Sequence, residues 1–129
     1  MGEPVRCAYR VIYGDTDQMG VVYYANYLTF FERGRCEWMR DRALDYAALE
    51  RDGLFLPVAD AAVRYLRPAR FDDLLTIETT LSEVGRTTLY FAYRIRRGDD
   101  VLATGTTRHG CVNRDGRPVR LPATVAALG

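Results

Sequence analysis

The chain has 129 residues, 18 basic and 17 acidic, with a formal net charge of +1. That length fits one compact domain, residues 1–129, and the near-neutral balance excludes a strong overall field for nucleic acid or an acidic membrane. Every basic residue is Arg and His109 is the only His, which excludes Schiff-base, Ser-Lys and P-loop lysine chemistry and a multi-histidine metal site within one chain.

Cys7, Cys36 and Cys111 are odd in number and widely spaced, a pattern of neither a disulfide framework nor a zinc site. Reduced thiols, a charged start without an apolar leader and no run long enough to span a bilayer lead us to expect a cytoplasmic protein. No metal is expected.

In chain order, Val5 to Tyr13 predicts a strand: Val5, Cys7, Tyr9, Val11 and Tyr13 alternate with Arg6, Ala8, Arg10 and Ile12. Gly14 to Gly20 reads as a loop carrying Asp15 and Asp17. Asn26 is placed as the N-cap of a long helix to about Arg42, or as part of a site floor, and the two are compatible. Tyr27, Phe30, Phe31, Gly34 and Trp38 form its apolar stripe, widened by Leu28 and Met39. Gly34 within the stripe implies close approach of another backbone. Arg33–Glu37 and Glu32–Arg35 are spaced to pair on the outer face.

Asp45 is spaced to cap a short helix through Arg51 that stops at Gly53. Four strands follow: Leu56 to Leu66, broken by Pro68; Leu74 to Val84; Thr88 to Arg97; and Val101 to Asn113. Hairpins are the natural connections. One buried helix followed by a run of strands predicts an α+β fold, with an antiparallel sheet curled around the helix.

The segment Tyr13-Gly-Asp-Thr-Asp-Gln-Met-Gly-Val-Val-Tyr-Tyr-Ala-Asn-Tyr27, followed by Phe30-Phe31-Glu32-Arg33, resembles the signature of hotdog-fold acyl-CoA thioesterases. The branch concerned contains 4-hydroxybenzoyl-CoA thioesterase and the Tol–Pal-associated thioesterase. The likeness continues through Val63 to Asp73, Gly85 to Thr88 and Arg117 to Pro122. It implies a five-stranded antiparallel sheet around one long helix. It also implies a homo-oligomer, a dimer at least and a tetramer by further pairing, with active sites between subunits. The expected substrate is an acyl-CoA, coenzyme A being part of that substrate, with no cofactor.

By position, Asp17 matches the family's catalytic carboxylate, which either attacks the thioester carbonyl or activates a water. The backbone N–H at Tyr24 matches the oxyanion donor, at a helix start that suits developing negative charge, and Gly20 would allow the turn that aims it. Tyr23 or Tyr24 would line an acyl pocket. Arg86, Thr87 and Thr88 fall where the family contacts the nucleotide, with Arg67 or Arg70, near the Pro68 break, as a further candidate; a charged hairpin turn is the competing reading for Arg86. Residues alone also admit a simpler account of Asp17, as a turn-former. Asp15 is expected to hold the loop, Glu32 to pair with a charge, and His109 to be structural. The chain has Tyr24 where the Tol–Pal branch usually has His, and Ala25 where the hydroxybenzoyl branch has Pro. A non-catalytic acyl-thioester binder and a hotdog hydratase or dehydratase are the alternatives.

Overall fold

A computed structural model describes residues 2–128. Its strands are β1 (Val5–Arg10), β2 (Val58–Tyr65), β3 (Leu74–Val84), β4 (Thr88–Arg97) and β5 (Asp100–Gly110). Its helices are α1 (Asn26–Asp41), α2 (Tyr46–Arg51) and α3 (Ala123–Ala126), with a 3₁₀ turn at Tyr13–Asp15. The strands form one sheet in the order β1-β3-β4-β5-β2, every neighbouring pair antiparallel. This is the hotdog arrangement, with α1 as the filling.

The inner face of the sheet presents Leu75, Ile77, Leu81, Phe91, Tyr93, Ile95 and Leu102 to Tyr27, Phe30, Phe31 and Trp38 of α1. Phe31 stacks on Tyr93 at 4.3 Å between ring centroids, and Trp38 meets Phe91 edge-on at 5.2 Å. Gly34 is buried where α1 crosses β3; a Cβ there would run into Thr79 Oγ1 and come within 2.9 Å of Ile77 Cγ2. The close approach expected from the sequence is therefore real, but what crowds Gly34 is the Thr79 and Ile77 side chains of β3 rather than another backbone.

Several expectations need correction. β1 ends at Arg10, not Tyr13, because Asp15 accepts the Ile12 N–H at 2.9 Å and turns the chain out of the sheet. β2 begins at Val58 and β5 ends at Gly110. Leu28 is 42% exposed and does not widen the buried stripe. The predicted helix pairs do not form: Arg33 lies over the Tyr9 ring, Arg35 donates to Tyr93 Oη, and Glu37 pairs with Arg40. Asp45 caps α2 as expected, accepting the Ala48 N–H at 3.1 Å.

On the outer face of the sheet, Glu78 is buried beneath Arg6, Arg94 and Arg96. Burial alone would raise its pKa, but hydrogen bonds from Arg94 and Arg6 outweigh it and hold the carboxyl below its ordinary value. Three of the 18 arginines thus converge on one carboxylate.

Candidate active site

The loop before α1 is built by two carboxylates with different tasks. Asp15 is structural: its Oδ2 accepts from Tyr9 Oη at 2.7 Å and Ile12 N at 2.9 Å. Its carbonyl accepts from Tyr23 N and from Asn26 Nδ2, both at 2.8 Å. Asp17 heads a tight turn in which its N–H donates to Val21 O and Gly20 N–H donates to Asp17 O, both at 2.9 Å. Gly20 takes φ +78°, a left-handed conformation that a side chain would strain. Asp17 Oδ1 also accepts the Met19 N–H at 2.9 Å, so the turn-forming role is present and occupies only one carboxylate oxygen.

Asn26 is not the N-cap. Ala25 occupies that position with helical dihedrals. The Asn26 side chain instead reaches back to Asp15 O and fastens the helix to the loop. The helix start tightens into a 3₁₀-like turn, with Asn26 N–H on Tyr23 O, Tyr27 N–H on Tyr24 O and Leu28 N–H on Ala25 O. Among the described residues, the Tyr24 N–H has no partner. It is thus an orphan donor at the positive end of a 16-residue helix.

Asp17 and Tyr24 share the wall of a cavity of about 380 Å³, completed by Met19, Val21, Val22, Tyr27, Tyr65, Leu66, Arg67 and Pro68. The lining is apolar and aromatic except for Asp17 at one place and Arg67, which pairs with Asp100 at 3.3 Å. This composition fits an acyl group, with one carboxylate beside it. Tyr23 is not on that wall; its ring packs against Tyr24 at 4.8 Å. Tyr65 was missed by the sequence reading. Its hydroxyl donates to Tyr24 O at 2.8 Å, a contact across 41 positions that no local pattern signals.

Arg86, Thr87 and Thr88 are not brought to Asp17 within the chain. The strand register puts Tyr65, Ala103, Arg97 and Leu74 at one end of the sheet, and Val58, Gly110, Thr88 and Val84 at the other. An 11-residue strand such as β3 separates the two ends, roughly 30 Å at strand rise. Glu32 also lies elsewhere, in a groove between α1 and β1 with Cys7, Arg33 and Cys36.

His109 is buried. Its ring meets Phe91 edge-on at 5.5 Å, Nδ1 lies 3.0 Å from Leu56 O and Nε2 lies 2.9 Å from Thr107 Oγ1. Burial lowers its pKa to about 4, so the ring is neutral near pH 7. Nδ1 then donates to Leu56 O and Nε2 accepts from Thr107. The chain of bonds continues through Tyr93 Oη to Arg35, which leaves no free nitrogen for catalysis. Among the described residues, no group of three or more His, Cys, Asp or Glu is placed to hold a metal ion. No helix among them is long and apolar enough to cross a membrane.

Comparisons with known proteins agree with this geometry. A family model described as the thioesterase-like superfamily matches residues 11–128. An acyl-CoA thioesterase YbgC of Haemophilus influenzae is 41% identical over 120 residues, covering 92% of this chain and 88% of that protein. The crystal structure of hypothetical protein TT1821 from Thermus thermophilus superposes with a TM-score of 0.90 at 34% identity, covering 95% of this chain and 94% of the other. That of a DHNA-CoA thioesterase from Staphylococcus aureus superposes with a TM-score of 0.88 at 28% identity, covering 92% and 80%. Fold, loop and relatives together define a hotdog-fold thioester hydrolase. The chain belongs to the thioesterase-like superfamily.

Proposed function

We propose that the protein hydrolyses acyl-CoA thioesters to the free acid and coenzyme A, using Asp17 as the reactive carboxylate and the Tyr24 N–H as the oxyanion donor. The observation that carries this is one cavity lined by both Asp17, its single carboxylate, and Tyr24, the residue that bears the orphan helix-start N–H, with an otherwise apolar acyl-sized lining. Acting as a base, the Asp17 carboxylate takes a proton from water as the water oxygen bonds to the thioester carbon. The carbonyl oxygen becomes an oxyanion held by the Tyr24 N–H. Collapse breaks the C–S bond, and the thiolate recovers the proton from Asp17. Acting as a nucleophile, the Asp17 carboxylate bonds to the thioester carbon and the C–S bond breaks, expelling coenzyme A as the thiolate and leaving an acyl anhydride. Water then cleaves the anhydride to the free acid, the Asp17 carboxylate is regenerated, and the proton released goes to the thiolate. Either route needs no cofactor, coenzyme A being part of the substrate. A hydratase or dehydratase reading is disfavoured by His109, which is buried and fully bonded.

The site is completed by a second copy. β2 is an outer strand of the sheet with its residues largely exposed. Antiparallel pairing of two β2 edges about a two-fold axis would set the Val58 end of one copy beside the Tyr65 end of the other. The Gly85–Thr88 hairpin of that copy then approaches the Asp17 cavity with Arg86, Thr87 and Thr88, where a fork of guanidinium donors suits the CoA phosphates. Arg67 and Gly20 complete the near side, with Tyr23 flanking. We place the protein in the cytoplasm as a dimer that pairs again into a tetramer.

The test is direct measurement of thiol release from short-chain, long-chain and aromatic acyl-CoAs and from acyl carrier-protein thioesters. Turnover of one or more CoA esters is expected. Binding of these thioesters without thiol release would instead establish a non-catalytic binder.

A further inference from the structure

The Tyr24 N–H belongs to the Tyr23–Tyr24 peptide. Its carbonyl, Tyr23 O, is held by Asn26 N–H at 2.9 Å. A trans peptide points N–H and C=O in opposite directions, so that bond turns the Tyr24 N–H away from the helix turn. The peptide on the other side of the same Cα, Tyr24–Ala25, is held less well from within the helix. Its carbonyl meets Tyr27 N–H only at 3.4 Å, the long limit of a useful hydrogen bond.

The tight contact on that carbonyl comes from another element. Tyr65, the last residue of β2, reaches it at 2.8 Å. The Tyr65 ring is aimed by edge-on contacts with Tyr27 at 5.1 Å and Tyr24 at 6.4 Å, and it also lines the Asp17 cavity. We propose that Tyr65 is a positioning residue for hydrolysis: by clamping Tyr24 O it fixes one side of the Tyr24 Cα, as the Asn26 N–H fixes the other, and so holds the oxyanion N–H on the cavity. This rests on the assignment of Asp17 and the Tyr24 N–H as reacting groups. Burial, with Tyr24 beside it, raises the hydroxyl's pKa above its ordinary value, which keeps it a donor across the neutral and mildly alkaline range.

The test is Tyr65→Phe in the full-length protein, assayed beside Asp17→Asn on the acyl-CoA turned over fastest by wild type. A misaimed oxyanion donor lowers the rate constant of the chemical step while ground-state binding survives. We expect kcat to fall about tenfold, with KM within about twofold and the melting temperature within a few degrees. The loss should be equal on short and aromatic acyl groups, since the oxyanion is common to all. Tyr65→Leu, which also removes the ring, should raise KM in addition. An unchanged kcat in Tyr65→Phe overturns the inference, as does a rise in KM alone, or loss of the fold, which would mark a structural tyrosine. Full turnover by Asp17→Asn would bring down the underlying assignment as well. An inactive Asp17→Asn beside a fully active Tyr65→Phe would bring down only the clamp.

Discussion

His109, the only imidazole in the chain, is the first side chain to consider as a catalytic base, and its surroundings disarm it. Both ring nitrogens are bonded inside the core, and burial lowers its pKa to about 4 from an ordinary 6.5. Between those values the folded state binds fewer protons than the unfolded state. Stability is therefore complete above pH 6.5 and declines as pH falls toward about 4. The cost across the window is about 3 kcal/mol. Glu78 and Asp73 are both held below their ordinary values by hydrogen bonds that outweigh burial, so their contributions are lost only toward the acid end of this window and below it. Thermal melts across pH 6.5 to 4 should therefore show a decline that is largely absent in His109→Gln; identical slopes in the two proteins would contradict this. The carboxylates divide as their types allowed from sequence. Asp17 and Asp15 were legible because glycines bracket a loop ahead of a helix. The loop-holding role expected of Asp15 is the one observed, but its partners were not legible, since Tyr9 and Asn26 arrive from other elements.

The β3–β4 hairpin, Gly85 to Thr87, connects paired strands at the far end of the sheet from Asp17. Arg86 is exposed there, with no salt bridge among the described residues. Its carbonyl accepts Leu121 N–H at 2.9 Å, tying the C-terminal segment to the turn. If this turn serves the nucleotide of a substrate seated against another copy, Arg86→Ala should raise KM for acyl-CoA about tenfold, the worth of one charge-assisted bond. Thioesters of a short thiol lacking the nucleotide should be unaffected; an equal rise on both would refute the role. At this scale the sequence was most readable where periodicity is long. The α1 stripe Tyr27, Phe30, Phe31, Gly34 and Trp38 is the buried set, and all five strands were recognised within a few residues. Ends were less readable, because they are set by partners outside the element. Asp15 stops β1, and the bond from Asn26 to Asp15 O replaces the expected cap. The predicted ion pairs of α1 failed for a related reason: Tyr9 and Tyr93 lie close enough to take Arg33 and Arg35.

At the scale of the molecule, the sheet separates the two halves of the proposed site. The cavity with Asp17, Tyr24 and Tyr65 lies at one end, and the arginine-bearing hairpin at the other. In the proposed dimer, two copies joined along β2 would reunite them and bring a local guanidinium to a polyanionic nucleotide despite the near-zero net charge. The proposed chemistry asks little of the composition: one carboxylate and one peptide N–H, with neither His nor Ser at the reacting centre. Asp17→Asn isolates that claim. Asparagine keeps an oxygen at Oδ1 to accept the Met19 N–H, so the turn survives while the charge and the nucleophile are lost. The decisive measurement is CoA release by this variant under saturating acyl-CoA, with folding checked by its melting curve. With Asp17 as the reacting carboxylate, kcat should fall about a thousandfold with the fold and ligand binding retained. Turnover within a few-fold of wild type would contradict it.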